Sequence, residues 1–204
     1  MRKSKADTAE TRKHILLTAS GMLLREGISA TAISDVMAAA GLTQGGFYRH
    51  FQSKEHMVAE ASATAFDGIF ATLEAATAGK SPQESIEIIV HGYLNQLSLG
   101  EEGQLCPLGN LSSELRLADD QVKSVAVEGY ARMVKLLASY LMRLNYTDYM
   151  GLAEGIVSVL VGAYSVSRVA VDPDMTASIL KNAEVTVNLL LKAAPTSAGL
   201  VKAA

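Results

Sequence analysis

The chain has 204 residues, of which 49% are hydrophobic, so it is long enough for one or two domains with a full apolar core. Its formal net charge of −3 taken alone argues against a nucleic-acid-binding protein. However, residues 1–60 hold eight Lys or Arg and six Asp or Glu, and a basic N-terminal part on an acidic body is the pattern that local contact with a polyanion needs.

Apolar residues recur at helical spacing along the whole chain, and glycine, proline and polar segments divide it into about nine helices with no convincing strand. In chain order, the predicted helices cover about residues 8–25, 32–39, 43–50, 54–73, 82–97, 107–117, 120–144, 148–169 and 173–194. The sequence therefore predicts an all-α fold.

Short polar residues mark where several of these helices begin. Ser81, Pro82 and Glu84 form a capping box with proline in the first turn, and Gly41 is expected to end the second helix in the left-handed conformation. The other expected N-terminal caps are Asp7, Thr31, Ser53, Thr147 and Asp172.

The second and third predicted helices are joined by the short segment AGLT, and this arrangement predicts a helix-turn-helix motif over about residues 32–51. The third helix opens with Thr43 and Gln44, whose side chains can hydrogen-bond to base edges. Gly45 and Gly46 would let its backbone approach the floor of the major groove. Phe47 and Phe51 are four residues apart and are expected to point into the core.

Tyr48 and His50 are then expected on the outer side, where their donors can reach phosphate. Lys54 stands at the start of the next helix, where the exposed backbone N–H groups also attract anions. Each residue has a simpler interpretation: Tyr48 and His50 as ordinary surface residues, Gly45-Gly46 as a plain loop, and Lys54 as a solvated charge. Their joint order is what favours a DNA-binding interpretation.

Residues of about 8–60 resemble the DNA-binding domain of the TetR family of bacterial transcriptional regulators. The resemblance follows the pattern GLT.GGFYRHF.SKE and the residues that precede it. The matching residues are Thr31, Ile33, Val36, Gly41, Leu42, Thr43, Gly45, Phe47, Tyr48, His50, Phe51, Ser53, Lys54 and Glu55.

The resemblance implies that the chain is a ligand-responsive DNA-binding regulator, most often a repressor. Thr31, Tyr48, His50 and Lys54 would hold phosphates, and Thr43, Gln44, Gly45 and Gly46 would face bases. Gly46 departs from the family, where many members carry Ser or Thr, so the operator sequence is not implied. The expected domains are 1–56 for DNA binding, 57–195 for ligand binding and dimerisation, and a flexible tail at 196–204.

The last two predicted helices carry more apolar and small residues than one intramolecular face requires. The resemblance implies that they pair with their symmetry mates in a four-helix bundle, and a two-fold dimer would present two reading helices to a palindromic operator. The expected interface residues are Leu152, Ile156, Val159, Ala163, Ile179, Ala183 and Val187.

Cys106 precedes Pro107 at a predicted helix start, where the helix dipole favours a thiolate. The segment QLCPLGNLSSEL resembles the corresponding region of TetR-family repressors that sense electrophiles or oxidants. The alternatives are that Cys106 is a small buried hydrophobe, and that a non-covalent apolar ligand binds among the central helices. The residues expected to line that pocket are Tyr93, Leu97, Tyr130, Met133 and Tyr164.

The chain contains a single cysteine, a charged N-terminus and no apolar run expected to span a bilayer, which together predict a soluble cytoplasmic protein without membrane contact. No metal-ligand spacing, phosphate loop or serine triad is present, so neither a cofactor nor a metal is expected. Two further hypotheses stay open: an activator with the same domain, and a helical thiol enzyme using Cys106.

Overall fold

The structure is a computed structural model that describes residues 5–95 and 106–196. Within these residues there are eight α helices, one 3₁₀ helix and no strand, which confirms the all-α prediction. The α helices are α1 (Lys5–Glu26), α2 (Ile33–Ala39), α3 (Lys54–Thr77), α4 (Pro82–Leu94), α5 (Pro107–Leu115), α6 (Asp120–Arg143), α7 (Tyr149–Ser167) and α8 (Pro173–Ala193). The 3₁₀ helix is Gln44–Arg49, between α2 and α3.

Packing divides the described residues into two compact units. The first contains residues 5–69 and 106–128, and the second contains residues 70–95 and 129–196, so the division falls within α3 and within α6. The N-terminal unit therefore includes α5 and the beginning of α6, which are remote in sequence. The predicted domain boundary at residues 56 and 57 stays a prediction, because compactness alone does not define a functional domain.

The core of the N-terminal unit is built from one apolar stripe of each of its helices. Ile15, Ala19 and Leu23 follow at intervals of four on α1 and are buried, as the helical period predicts. They pack with residues of α2, the 3₁₀ helix, the short segment after it, α3 and α6, namely Val36, Met37, Phe47, Phe51, Met57, Val58, Ala61 and Val122. This core holds the helix-turn-helix segment against α1 and α3.

The end of α2 fixes the direction in which the chain enters the 3₁₀ helix. Gly41 has φ +70°, which confirms the predicted left-handed cap. The amide of Leu42 donates to the carbonyl of Met37 at 2.8 Å, and that of Gly41 donates to Ala38 at 2.9 Å. These are the two hydrogen bonds of a Schellman motif, which closes a helix and turns the chain sharply.

Among the other predicted helix starts, some are confirmed and some are wrong. The capping box at Ser81 and the cap at Asp172 are present, and the Ser53 hydroxyl accepts the amide of His56. Asp7 lies inside α1, because that helix begins earlier than predicted. Ala32 rather than Thr31 precedes α2, and Asp148 rather than Thr147 caps α7.

In the second unit, α7 and α8 pack along each other, and both contact α4. Ile156 is 0% exposed, and Ala183 and Val187 are also buried, so these three side chains belong to the core of the chain itself. The structure therefore corrects the expectation that they lie in an interface, because another subunit cannot reach them. The other four expected interface residues are half-buried or exposed at the surface, namely Leu152, Val159, Ala163 and Ile179.

A different set of apolar side chains on α7 and α8 faces outward. Val166, Met175, Val185 and Leu189 are exposed, and a Cβ built at Gly155 or Gly162 would meet no other atom within 4 Å. The two helices thus bury one apolar face within the unit. They leave other apolar side chains exposed to solvent and two glycines uncovered. The periodicity of the sequence indicates both faces without telling which one is covered.

Contrary to the expectation from the sequence, α7 is by length and composition apolar enough to cross a membrane. Its 19 residues include Ala153, Ile156, Val157, Leu160 and Tyr164, all of which are buried against the rest of the unit. A core helix of a soluble protein passes the same test, and α7 packs against α4 and α8 on one face.

Candidate nucleic-acid interface

The segment from Thr43 to His50 is a short 3₁₀ helix with its two flanking residues, and the buried Phe47 holds it in the core. Thr43 is extended, with φ −83° and ψ 145°, and the six residues that follow form a 3₁₀ helix instead of the predicted α helix. Two consecutive glycines weaken an α helix, and a 3₁₀ turn suits a segment of this length. Thr43, Gln44, Gly45 and Tyr48 are all exposed, and Gly45 and Tyr48 lie three residues apart on the same side of the 3₁₀ helix.

Two buried aromatic side chains hold this segment in place. Phe47 and Phe51 are buried, with ring centroids 5.4 Å apart, as the sequence predicts. The edge of the adjacent Tyr48 ring meets Phe47 at a centroid distance of 5.2 Å, while the Tyr48 side chain itself is 73% exposed. The phenol group is therefore held at the surface by its own buried neighbour.

The two glycines are not required by the packing of the chain. A Cβ built at Gly45 would meet nothing within 4 Å, and one built at Gly46 would make an ordinary contact of 3.6 Å with Cε of Met37. Neither glycine has the positive φ that would exclude a side chain. The space in front of Gly45 is thus free for a molecule outside the chain, and the fold alone gives no reason for glycine there.

Lys54 is half-buried and stands at the first helical position of α3. The carboxylate of its neighbour Glu55 accepts hydrogen bonds from its own backbone N–H and from the Ser53 hydroxyl, and these hold the pKa of Glu55 below its ordinary value. Because Ser53 and Glu55 already satisfy part of this helix start, Lys54 is its main remaining attraction for an anion.

Thr31 is buried, whereas the expected contact with a phosphate requires an exposed hydroxyl. Its side chain is 0% exposed, and its hydroxyl donates to the carbonyl of Gly27 at 2.7 Å. A phosphate cannot reach this hydroxyl in the structure, which argues against Thr31 as a direct phosphate contact. Its position indicates instead that it ties together the turn between α1 and α2.

His50 ends the 3₁₀ helix and is half-buried, and its backbone carbonyl accepts a hydrogen bond from Nε of Arg12 at 3.2 Å. The Arg12 guanidinium also lies 4.8 Å from the centre of the Phe51 ring and forms an ion pair with Glu60 of α3. Arg12 therefore connects α1, the end of the 3₁₀ helix and α3 at one point.

Glu60 is the acceptor of this network. Its carboxylate accepts hydrogen bonds from Nη2 of Arg12 at 2.7 Å and from Nε2 of His56 at 2.6 Å. Nδ1 of His56 in turn accepts a hydrogen bond from the backbone amide of Gln52. The hydrogen bond from Arg12 is the main reason that the pKa of Glu60 lies below its ordinary value, although burial opposes the shift. The sequence alone does not indicate this network, since Arg12 and Glu60 are 48 residues apart.

The predicted sensor residues are placed only in part. Cys106 is 1% exposed and precedes α5, with its carbonyl accepting both the backbone amide and Nδ2 of Asn110 at 3.0 Å. Tyr93 and Tyr164 are buried and meet edge to face at 6.0 Å. Met133 is buried and Tyr130 half-buried, whereas Leu97 lies outside the described residues. A sensing or ligand-binding role stays a prediction for all of them.

Replacing Glu60 by Gln tests the network, because the depressed pKa of Glu60 stabilises the fold above its unfolded-state pKa and this gain disappears as the pH falls through the folded-state value. Both partners are about one-third exposed, so Glu60→Gln should cost about 1 kcal/mol or less near neutral pH. The difference from the unmodified protein should shrink as the pH falls through the lowered pKa of Glu60. Urea unfolding at several pH values measures both.

Glu74→Gln, at an exposed position of the same helix, is the control and should leave the pH dependence unchanged. A difference between Glu60→Gln and the unmodified protein that persists undiminished at low pH would show that the carboxylate charge contributes nothing.

Comparison with known proteins identifies the N-terminal part of the chain. The sequence model of the bacterial regulatory proteins of the tetR family matches residues 15–61. The chain is 28% identical over 126 residues to the HTH-type transcriptional repressor DhaR of Mycobacterium sp. (strain GP1), covering 61% of this chain and 62% of that protein. It is 39% identical over 59 residues to the HTH-type transcriptional regulator AcrR of Shigella flexneri, covering 29% and 27%.

These alignments thus span about three fifths of the first relative and about a quarter of the second. Among solved structures, the reduced form of E. coli NemR shares the fold, with a TM-score of 0.77 at 21% identity over 93% of this chain and 99% of that one. The matched residues contain the buried aromatic pair, the exposed glycine and the first turn of α3 described above. Residues 15–61 therefore match the sequence model of the tetR family of bacterial regulatory proteins, and this match covers the candidate interface.

Proposed function

We propose that the protein is a sequence-specific DNA-binding transcriptional regulator that acts in the cytoplasm as a dimeric repressor. The observation that carries this proposal is the exposed surface of Thr43, Gln44, Gly45 and Tyr48 on a segment that Phe47 and Phe51 fix in the core. The match of residues 15–61 to the tetR family model supports it, as does the similarity to DhaR, which is a transcriptional repressor. An activator would use the same surface.

The chemistry of this surface suits the major groove. Gln44 can pair with an adenine through two hydrogen bonds, and the Thr43 hydroxyl, which makes no capping bond to the helix, can donate or accept. Tyr48 offers a phenol O–H and Lys54 a positive charge at the edge, where phosphates flank the bases. Contacts to the bases and contacts to the phosphates would thus come from different side chains, so single substitutions can test them separately.

Gln44→Ala should change which base is preferred at one operator position, because a bidentate pair is worth about 1–3 kcal/mol of discrimination. Lys54→Ala should weaken binding to all sequences alike and make the slope of log affinity on log salt less negative by about 1 for each phosphate that is no longer bound. Selection from random duplexes, followed by titration at several salt concentrations, measures both effects. An unchanged base preference in Gln44→Ala would remove this residue from the reading surface.

Gly45→Ala should separate folding from DNA binding. Because the added methyl group meets only open space and φ is not positive, the substitution should leave the stability unchanged or raise it by about 0.4–1 kcal/mol. It should nevertheless weaken operator binding, since the methyl group would hold the backbone away from the bases. Thermal unfolding and DNA titration of the same preparation measure the two effects. Full operator affinity in Gly45→Ala would show that close backbone approach is not needed.

The dimer is proposed to form through the open face of α7 and α8. This face contains Val166, Met175, Val185 and Leu189 with the uncovered Gly155 and Gly162, so two copies could approach closely around a two-fold axis. The half-buried residues among those predicted, such as Leu152 and Val159, can contribute at its edge. The buried Ile156, Ala183 and Val187 cannot.

Leu189→Asp should give a folded monomer, because Leu189 is 60% exposed in the single chain and the new carboxylate would be buried only in the dimer. Ile156→Asp is the matched control: its carboxylate would enter the core of the chain and should destabilise the subunit itself by several kcal/mol. Sedimentation and circular dichroism measure assembly and folding. A fully dimeric Leu189→Asp protein would place the interface elsewhere.

The effector is proposed to be either a small apolar molecule or a reagent that modifies Cys106. The buried tyrosine pair of Tyr93 and Tyr164 offers an aromatic environment for the first, and the helix start at Cys106 suits a thiolate for the second. A catalytic role for Cys106 has less support, because the relatives DhaR and AcrR are a transcriptional repressor and a transcriptional regulator.

A further inference from the structure

Glu114, near the end of α5, holds the turn between α1 and α2 by accepting two backbone hydrogen bonds. The amide of Ile28 donates to one carboxylate oxygen at 3.1 Å, and the amide of Ser29 donates to the other at 2.7 Å. Each amide is about 85 residues away along the chain. No sequence motif predicts this contact, and none of the roles described above uses it.

Gly27 makes room for the carboxylate. Its φ is +94°, and a Cβ built there would collide with Oε1 of Glu114. The left-handed glycine directs the next two backbone N–H groups toward one point, which is the geometry of a small backbone anion site. In this chain the anion is the side chain of Glu114 itself.

A second hydrogen bond closes the same turn from within. The Thr31 hydroxyl donates to the carbonyl of Gly27 at 2.7 Å, so the two amides bind α5 while the carbonyl binds Thr31, two residues before α2. α2 packs on the 3₁₀ helix, and Met37 of α2 lies under Gly46. Contacts thus lead from α5, through this turn and α2, to the surface that carries Gln44.

Burial of the Glu114 side chain raises its pKa, but the hydrogen bonds from Ser29 and Ile28, together with the nearby positive charge of Lys54, outweigh this effect and hold the pKa below its ordinary value. The carboxylate is therefore ionised at neutral pH and its two hydrogen bonds are charge-assisted, which makes them stronger than bonds between neutral groups.

We propose that Glu114 is a positioning residue for DNA binding, through which α5 sets the orientation of α2 and the 3₁₀ helix. The proposal rests on the proposed function in DNA binding and deepens it, since any effector that displaces α5 would loosen this turn. α5 begins directly after Cys106, so the same helix joins a predicted sensor position to the turn that orients the reading surface. The contact provides a physical path for regulation without a direct contact between effector and DNA.

The test compares Glu114→Ala with Glu128→Ala, which removes an exposed carboxylate from the same unit. The probe is a duplex selected from random sequence by the unmodified full-length protein. Glu114→Ala should lower the affinity for it roughly tenfold. Hydrogen exchange at the amides of Ile28 and Ser29 should accelerate by about the same factor or more, with the core amides of α1 still protected. Glu128→Ala should change neither.

Glu114→Gln keeps one acceptor oxygen, so its DNA affinity and its exchange rates should lie between those of Glu114→Ala and those of the unmodified protein. It also provides a folded variant if Glu114→Ala does not fold. Unchanged exchange at Ile28 and Ser29 would show that the contact does not hold the turn. Faster exchange with unchanged affinity would show that the turn does not position the reading surface. If the unmodified protein selects no duplex, the proposed function fails, whereas the exchange result still decides whether Glu114 holds the turn.

Discussion

The burial of Phe47 and Phe51 is the constraint on which the candidate interface depends. In a 3₁₀ helix, residues three apart lie over one another, so the inward position of Phe47 leaves Gly45 and Tyr48 together on an outer face. The Schellman motif at Gly41 and the first turn of α3 fix the two ends of this segment. Because both ends and the middle are held, the exposed groups keep their relative positions.

Some charged side chains of residues 1–60 interact within the chain, and others are available to an external partner. Of the eight cations in this part, Arg12 is used internally, because its guanidinium pairs with Glu60 and lies against the Phe51 ring. Glu55 likewise uses its carboxylate at the start of α3, next to Lys54. The Arg12–Glu60 pair leaves the net charge of this part unchanged, but it removes one cation from those available to a polyanion, and Lys54 stands at a defined position at the start of α3. A count of charges cannot make this distinction, since Arg12 and Lys54 look alike in sequence.

What the sequence predicts well is what neighbouring residues decide. The capping box at Ser81, the left-handed Gly41 and the inward Phe47 and Phe51 all depend on partners within a few residues, so spacing alone indicates them. The role of Thr31 and the contacts of Arg12 and Glu114 depend on the folded arrangement of the chain, and no pattern in the sequence indicates them. The two faces of α7 and α8 are an intermediate case: periodicity shows that both are apolar, but only packing shows that Ile156 is inside and Leu189 outside.

Continuity along the chain is also a poor guide to which residues form the N-terminal unit. Val122 of α6 is buried in the core formed by α1, α2 and α3, and Leu115, Ala118 and Val125 pack against its edge. A fragment ending near residue 69 would expose the surfaces that these four residues cover, and it would also lack the Glu114 side chain that holds the α1–α2 turn. The helix-turn-helix segment is thus completed by residues that lie far beyond it in the sequence. A displacement of α5 or of the start of α6 would therefore change the packing of this core directly, because Leu115 and Val122 pack in or against it.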